Sequence, residues 1–188
     1  MGKKTIKAKC RAMKTEDLEM VMNWRMLPDI TRYMNTDPKL TIEGQINWFH
    51  QQKENPDNYL WIVEVDDVPS GVLTILDLDR QNQKCSSGLY IALKEKRSLE
   101  LTMLLEWSLY DFVFDTLKLN KYFGEIFSLN KGLIRLKQMC GSEIEGVLRQ
   151  HIYKNGEFYD ITVMAIDKTR WKDIKKKYQY EAIEFEVD

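Results

Sequence analysis

The chain is predicted to be an α/β domain built on a mixed sheet, and three observations carry that expectation. Strand-like and helix-like runs alternate through the second half of the 188 residues, which is the pattern of an α/β layer architecture. Leu101, Leu104, Leu105, Leu109, Phe112 and Val113 recur at helical spacing. Two apolar runs, Ile144 to Tyr153 and Phe158 to Ile166, flank Asn155-Gly156, a dipeptide that tolerates the left-handed backbone of a tight hairpin turn.

The elements follow in order. Lys7 to Met13 mixes charged and apolar residues and reads as a first strand. Thr15 is placed as an N-cap, with Glu16 and Asp17 beside the positive end of the helix. Leu18, Val21, Met22 and Arg25 then share one face. Pro28 ends or redirects that helix, and Asp29 to Met34 forms a short second turn. Thr41 caps a helix that runs through Ile42, Ile46, Trp48 and Phe49 to about Lys53. Asn55-Pro56-Asp57-Asn58 breaks it. Tyr59 to Val65 is aromatic and β-branched, hence a strand; a turn at 66–71 returns it as Val72 to Leu78. Arg80 to Ser87 is polar and reads as a loop before a strand from Gly88 to Leu93. Ser98 opens the long helix, Tyr122 to Leu129 is a strand, and Lys131 to Met139 is a helix stopped by Gly141. The tail after Lys168 carries Lys175, Lys176 and Lys177 and is expected to be solvated, with a basic docking patch as the alternative.

Composition bounds the function. Hydrophobic residues make up 44% and charged residues 30% of a chain with net charge −1. That balance excludes a protein built to coat nucleic acid or an anionic membrane. No apolar run is long enough to span a bilayer. Met1-Gly2-Lys3-Lys4 opens no apolar leader, and Ile6 stands where a myristoylation signal needs Ser or Thr. The expected location is cytoplasmic. Cys10, Cys85 and Cys140 form no CxxC pair, and with only His50 and His151 in the chain no metal site is expected.

One order of residues is more specific. Asn23-Trp24-Arg25, Pro28, Thr41-Ile42-Glu43 and Trp48 precede Gly71-Val72, Gly88-Leu89-Tyr90-Ile91, Glu125, Asn130, Glu145-Gly146 and Glu157-Phe158 with Asp160. From about Arg11 to Ile166 this order resembles the GNAT superfamily of N-acetyltransferases. It is most similar to the amino-sugar N-acetyltransferases of the pseudaminic acid pathway, and the ribosomal-protein N-terminal acetyltransferases share much of it. The resemblance implies the GNAT fold: a mixed, mostly antiparallel central sheet with splayed fourth and fifth strands, flanked by helices. It implies residues 1–168 as the acetyltransferase domain and 169–188 as a charged extension. It also implies acetyl-CoA as cosubstrate and a small-molecule amine as acceptor, a sugar nucleotide in the sugar enzymes. A homodimer is a further possibility. A peptide N-terminus is the alternative acceptor, and a GNAT-fold binding module without its cofactor is the non-enzymatic alternative.

The resemblance places the site residue by residue. Tyr90, Ile91, Ala92 and Leu93 would offer unpaired backbone groups to the pantetheine amides. Lys96, Arg97, Ser98, Leu99, Glu100 and Leu101 would take the pyrophosphate at a helix N-terminus. The family's loop there is glycine-rich and this one has no glycine; leucine and glutamate adopt positive φ only at a cost. Asn130 would bind the cofactor or simply cap a helix. Glu125 matches a carboxylate linked to the amine, and Thr74 a hydroxyl near the acetyl carbonyl; their bland readings are a solvated glutamate and a packing threonine. Lys137 stands where the family has a general-acid tyrosine, and a buried lysine with a lowered pKa could donate a proton in its place. Trp24, Arg25 and Gln45 fall where the sugar enzymes contact the nucleotide.

Overall fold

The computed structural model describes residues 6–187. Met1-Gly2-Lys3-Lys4, on which the expectation about a leader or lipid anchor rests, lies outside them. The strands are β1 (Ala8–Ala12), β2 (Leu60–Val65), β3 (Val68–Asp79), β4 (Lys84–Ile91), β5 (Lys121–Phe127), β6 (Glu143–Lys154) and β7 (Glu157–Asp167). The helices are α1 (Leu18–Arg25), α2 (Pro28–Thr31), α3 (Ile42–Lys53), α4 (Leu99–Asp111), α5 (Lys131–Met139) and α6 (Lys168–Ile174). The strands form one sheet in the order β1-β2-β3-β4-β5-β7-β6. Every neighbouring pair is antiparallel except β4 and β5. The expected mixed, mostly antiparallel sheet is therefore the one observed.

Both faces of the sheet are covered, which is why β2 is buried along its whole length. Its side chains alternate. Trp61, Val63 and Val65 join the cluster formed with Leu105 and Leu109 of α4, while Leu60 and Ile62 join Leu18, Val21 and Phe49 on the α1–α3 face. Burying one such aliphatic side chain stabilises by roughly 1.5–3 kcal/mol, so the two layers anchor the sheet from both sides.

Local chemistry sets the element ends. Thr41 Oγ1 accepts from Gly44 N at 3.2 Å, Ser98 Oγ from Leu101 N at 3.0 Å, and Asp167 Oδ1 from Arg170 N at 2.8 Å. Pro28 opens α2 as its first residue, where the missing N–H costs nothing. The β6–β7 turn has Asn155 at φ 52° and Gly156 at φ 85°, as the dipeptide predicts. Thr15 does not cap α1. It lies in a single 3-10 turn (Thr15–Asp17), and Asp17 instead accepts from Lys14 N at 2.9 Å while its carboxylate takes both terminal nitrogens of Arg11 at 2.7 Å.

Two segments depart from expectation. Arg80 to Ser87 is not a loop: only a short turn separates β3 from β4, and Cys85 and Ser86 are buried in the ladder. Lys84, Ser86 and Ser87, polar residues on both faces, masked that strand. The tail after Lys168 is not a solvated appendage. Trp171 and Ile183 are in the main core, and Lys175 pairs with Asp111 at 2.6 Å. Cys10 N donates to Glu184 O and Glu186 N to Cys10 O, both at 2.9 Å, so the tail runs along the free edge of β1 and covers it. Phe185 packs on Trp61 and Phe112, with ring centroids 5.0 Å from each. Phe185→Ala should therefore lower unfolding stability by about 2 kcal/mol, discounted from a fully buried ring because the site is half-exposed; urea denaturation measures it.

Candidate active site

The site begins where a ladder stops. β3 pairs with β4 from Asp79↔Lys84 up to Gly71↔Ile91, and β5 pairs with β7 from Lys121↔Asp167 to Phe127↔Ile161. Between β4 and β5 only Lys84↔Lys121 and Cys85↔Tyr122 are in register. Above those two pairs the strands part, and the β4 backbone from Ser87 to Ile91 has no β5 partner. Backbone amides are obligatory hydrogen-bonding groups. A strand edge left open inside a sheet therefore accepts an extended, amide-bearing ligand as an added strand would be accepted. The residues present thus fit the pantetheine arm of coenzyme A: by alternation Leu89 and Ile91 turn their backbone groups to the open edge, with Ile91 O taken by Arg97, while those of Tyr90 turn toward β3. Ala92 and Leu93 have turned away, both N–H groups donating to Ser70 O, at 2.7 and 3.3 Å.

The far end of the fork leads to the N-terminus of α4. Ser98 caps it, leaving the Leu99 and Glu100 N–H groups in the first turn, where a helix has no internal acceptors. The missing glycines carry no penalty: no residue from Leu93 to Leu101 has a positive φ, since the chain makes a 3-10 turn at Lys94–Lys96 and then runs extended through Arg97 and Ser98. The basic side chains have internal partners. Arg97 donates to Ile91 O at 2.8 Å and Ala92 O at 3.0 Å. Lys94 pairs with Asp29 at 2.7 Å and Lys96 with Asp66 at 3.0 Å. Exposed pairs of this kind are worth at most about 1 kcal/mol, so a diphosphate can displace them. Leu101 is buried and packs; Leu99 and Glu100 are exposed.

Under the fork lies a buried polar cluster. Lys137 of α5 is ion-paired to Glu106 of α4 and donates to the Tyr122 hydroxyl at 3.1 Å. Tyr122 also shares a hydrogen bond with Ser87 of β4 at 2.6 Å. Tyr110 donates to Glu106 and meets Ser142, each at 2.8 Å. Burial alone would pull the Lys137 ammonium down; the Glu106 charge and the contacts with Tyr122 outweigh it and hold it above the usual lysine range. This corrects the expectation of a lowered pKa: Lys137 is a fixed cation, and a poor proton donor. Burial, with the Glu106 charge adding to it, pushes the Tyr122 phenol up to about 12. The thiols of Cys85 and Cys140 are likewise pushed up to about 12 by burial, which keeps them inert.

The opposite face of the sheet carries the residues that the sequence resemblance assigns to the acceptor and the acetyl carbonyl. Tyr90 packs with the α1–α3 cluster, and by alternation Gly88, its partner Thr74, and across the fork Glu125 share that face. Thr74 Oγ1 lies 3.4 Å from Gly88 O. Glu125 is exposed on β5. Trp24 packs against the α1–α3 cluster, Gln45 is buried, and Arg25 donates to Thr36 Oγ1 at 3.1 Å. Asn130 caps α5, its Oδ1 accepting from Leu133 N at 3.2 Å. The segment between α2 and α3 is latched to the β6–β7 turn: Lys154 is buried, donates to Thr31 O at 2.6 Å and pairs with Asp37 at 2.9 Å. A cavity of about 870 Å³ lies between β1, α4 and the C-terminal tail, with Glu100 on its lining.

Ser87, Glu106, Tyr110, Tyr122 and Ser142 were not singled out by sequence. A signal existed for Glu106 and Lys137: each interrupts an apolar helix face, and a buried charge needs a partner. Among the described residues no three His, Cys, Asp or Glu side chains gather as a metal site, and no helix is long and apolar enough to cross a membrane.

Residues 9–143 match the acetyltransferase (GNAT) domain family. The chain is 25% identical over 165 residues to the uncharacterized N-acetyltransferase YoaA of Bacillus subtilis, covering 85% of this chain and 93% of that protein. It is 30% identical over 116 residues to the SPbeta prophage-derived uncharacterized N-acetyltransferase YokL of the same organism, covering 60% and 63%. Its fold superposes on spermidine N-acetyltransferase from Vibrio cholerae, solved with CoA and spermine, with a TM-score of 0.82 at 18% identity, covering 90% of this chain and 99% of that one.

The buried pair yields a stability test. Lys137→Met should cost roughly 3–5 kcal/mol by stranding the Glu106 carboxylate, and Lys137→Met with Glu106→Leu should recover most of it. Urea unfolding of the singles and the double measures the coupling. A raised lysine pKa lends stability that is whole below the unfolded value of ~10.4 and is lost as pH rises through the folded one. The coupling should therefore be flat near neutrality and fade only in strong alkali.

Proposed function

Since the chain belongs to the acetyltransferase (GNAT) domain family, we propose that it transfers the acetyl group of acetyl-CoA to a small primary amine arriving from the α1–α3 face. It is an N-acetyltransferase, and acetyl-CoA supplies the activated acyl carbon. The single observation that carries the site assignment is the β4–β5 ladder ending at Cys85↔Tyr122. The open β4 edge holds the pantetheine amides, and the α4 N-terminus with Lys94 and Arg97 takes the diphosphate. Glu125 receives the proton that the attacking ammonium must lose, directly or through one water. Thr74 offers a hydroxyl toward the acetyl carbonyl.

The acceptor is proposed to be a flexible polyamine-like cation. Glu125 is an exposed carboxylate on that face, and a carboxylate attracts an ammonium. The V. cholerae enzyme of the same fold is a spermidine N-acetyltransferase solved with spermine. A nucleotide-linked amino sugar, the acceptor implied by the sequence resemblance, has less support: Gln45 is buried and Arg25 is engaged by Thr36. Self-association is proposed on the β6–β7 hairpin, where Val147, Tyr153 and Phe158 are exposed.

Acetyl-CoA should bind saturably in calorimetry, and an acceptor panel should show turnover with polyamines above sugar nucleotides and peptides. Glu125→Gln should lower kcat/KM for the amine by about 10²–10⁴-fold with acetyl-CoA affinity unchanged. An unaffected kcat/KM would remove Glu125 from the mechanism.

A further inference from the structure

The mechanism above leaves one demand unmet: something must steady the sulfur when the thioester breaks, and Lys137, at the position of the family's acid, is locked in an ion pair. The cluster under the fork answers it. Lysine has donors only, so its ammonium donates to Glu106 and to the Tyr122 oxygen. The Tyr122 proton cannot go back to lysine, and goes to Ser87 Oγ, 2.6 Å away. Ser87 then keeps its own hydrogen free to point elsewhere. It is the half-exposed member of the chain, whereas Glu106, Tyr110, Tyr122, Lys137 and Ser142 are all buried. Ser87 also sits on β4, just beyond Cys85, the last residue paired with β5.

We propose that Ser87 donates a hydrogen bond to the sulfur of coenzyme A as the thioester cleaves, with Tyr122, Lys137 and Glu106 as positioning residues that orient and polarise its hydroxyl. This rests on the acetyl-transfer reading. In that step the acceptor nitrogen bonds the acetyl carbon, and the carbon–sulfur bond breaks with its electron pair going to sulfur. Ser87 keeps its proton and shares the new charge through the hydrogen bond; the thiolate then departs or takes a proton from water. The ammonium gives up one proton through Glu125 to water before it attacks, and Glu125 then takes the nitrogen's second proton as the carbon–sulfur bond breaks. A chain of donors headed by a cation strengthens its last member. The arrangement also gives the buried pair a purpose, since for stability alone an apolar pair of similar volume would serve as well or better.

The readout is the thiolate, not turnover. CoA, acetyl-CoA and desulfo-CoA, which lacks the sulfur, are titrated by calorimetry across the range around an ordinary thiol pKa of ~8.5. The titratable groups around the site are Glu106 and Tyr110 of α4, Lys137 and Cys140 of α5, Tyr122 of β5 and Cys85 of β4. Desulfo-CoA meets all of them and so subtracts their own titration. Wild-type affinity for CoA should climb about tenfold or more over that for desulfo-CoA as pH rises. Ser87→Ala should abolish the climb while leaving acetyl-CoA and desulfo-CoA affinity alone. Ser87→Thr should restore it, and Tyr122→Phe should weaken it. An equal climb in Ser87→Ala, or none in wild type, overturns the proposal and leaves the acetyl-CoA site standing. Wild type with no affinity for any of the three overturns both.

Discussion

Two strands that each already have a full partner need not hold each other, and the rest of the molecule depends on that freedom. β4 is paired with β3 along its whole length and β5 with β7. The sheet is therefore two stiff halves hinged at Lys84↔Lys121 and Cys85↔Tyr122. The halves part without leaving either one unstable, because α4 covers the joint on one face. What remains open is a row of peptide groups at a fixed spacing, a template for a ligand that carries its own amides.

The closed end of the fork is unusual in its chemistry. Carrying Glu106 and Lys137 into the core is worthwhile only if their polar atoms find further partners; Tyr122 accepts from Lys137 and Tyr110 donates to Glu106, with Ser142 held on Tyr110. Together with Ser87, which bonds Tyr122, they join α4, α5, β4 and β5 at one point. They thereby fix the angle at which the two halves diverge as well as the polarity of the floor. At the open end the ties are weak: Lys94 and Arg97 both reach Asp29 of α2, at 2.7 and 3.5 Å. Asp29 thus ties the segment before α4 to α2.

Much of this was legible in the sequence where local rules act alone. The Thr41, Ser98 and Asn130 caps and the Asn155-Gly156 turn are short-range chemistry, and the fold class followed from their order. The splay came from the resemblance, since no composition distinguishes an open strand edge from a paired one. Three failures have a common origin in tertiary context. The strand at 84–87 looked polar because Lys84, Ser86 and Ser87 put polar residues on both its faces. The C-terminal lysines advertised solvent while Trp171, Ile183 and Phe185 among and after them carried the packing. Lys137 looked like a weakened base because its partner, Glu106, is distant in sequence and adjacent only in the fold. The absence of glycine from 94–101 suggested a damaged loop; the backbone there simply avoids positive φ.

Amide hydrogen exchange along Ser87 to Ile91 probes the open ladder most directly. Without ligand these groups should exchange unevenly, the ones bonded to β3 slowly and the ones turned toward β5 fast, with the fast set gaining protection when acetyl-CoA is added. Uniform slow exchange across that stretch before any ligand is added, unchanged by acetyl-CoA, would mean that the strands are joined throughout and would contradict the account.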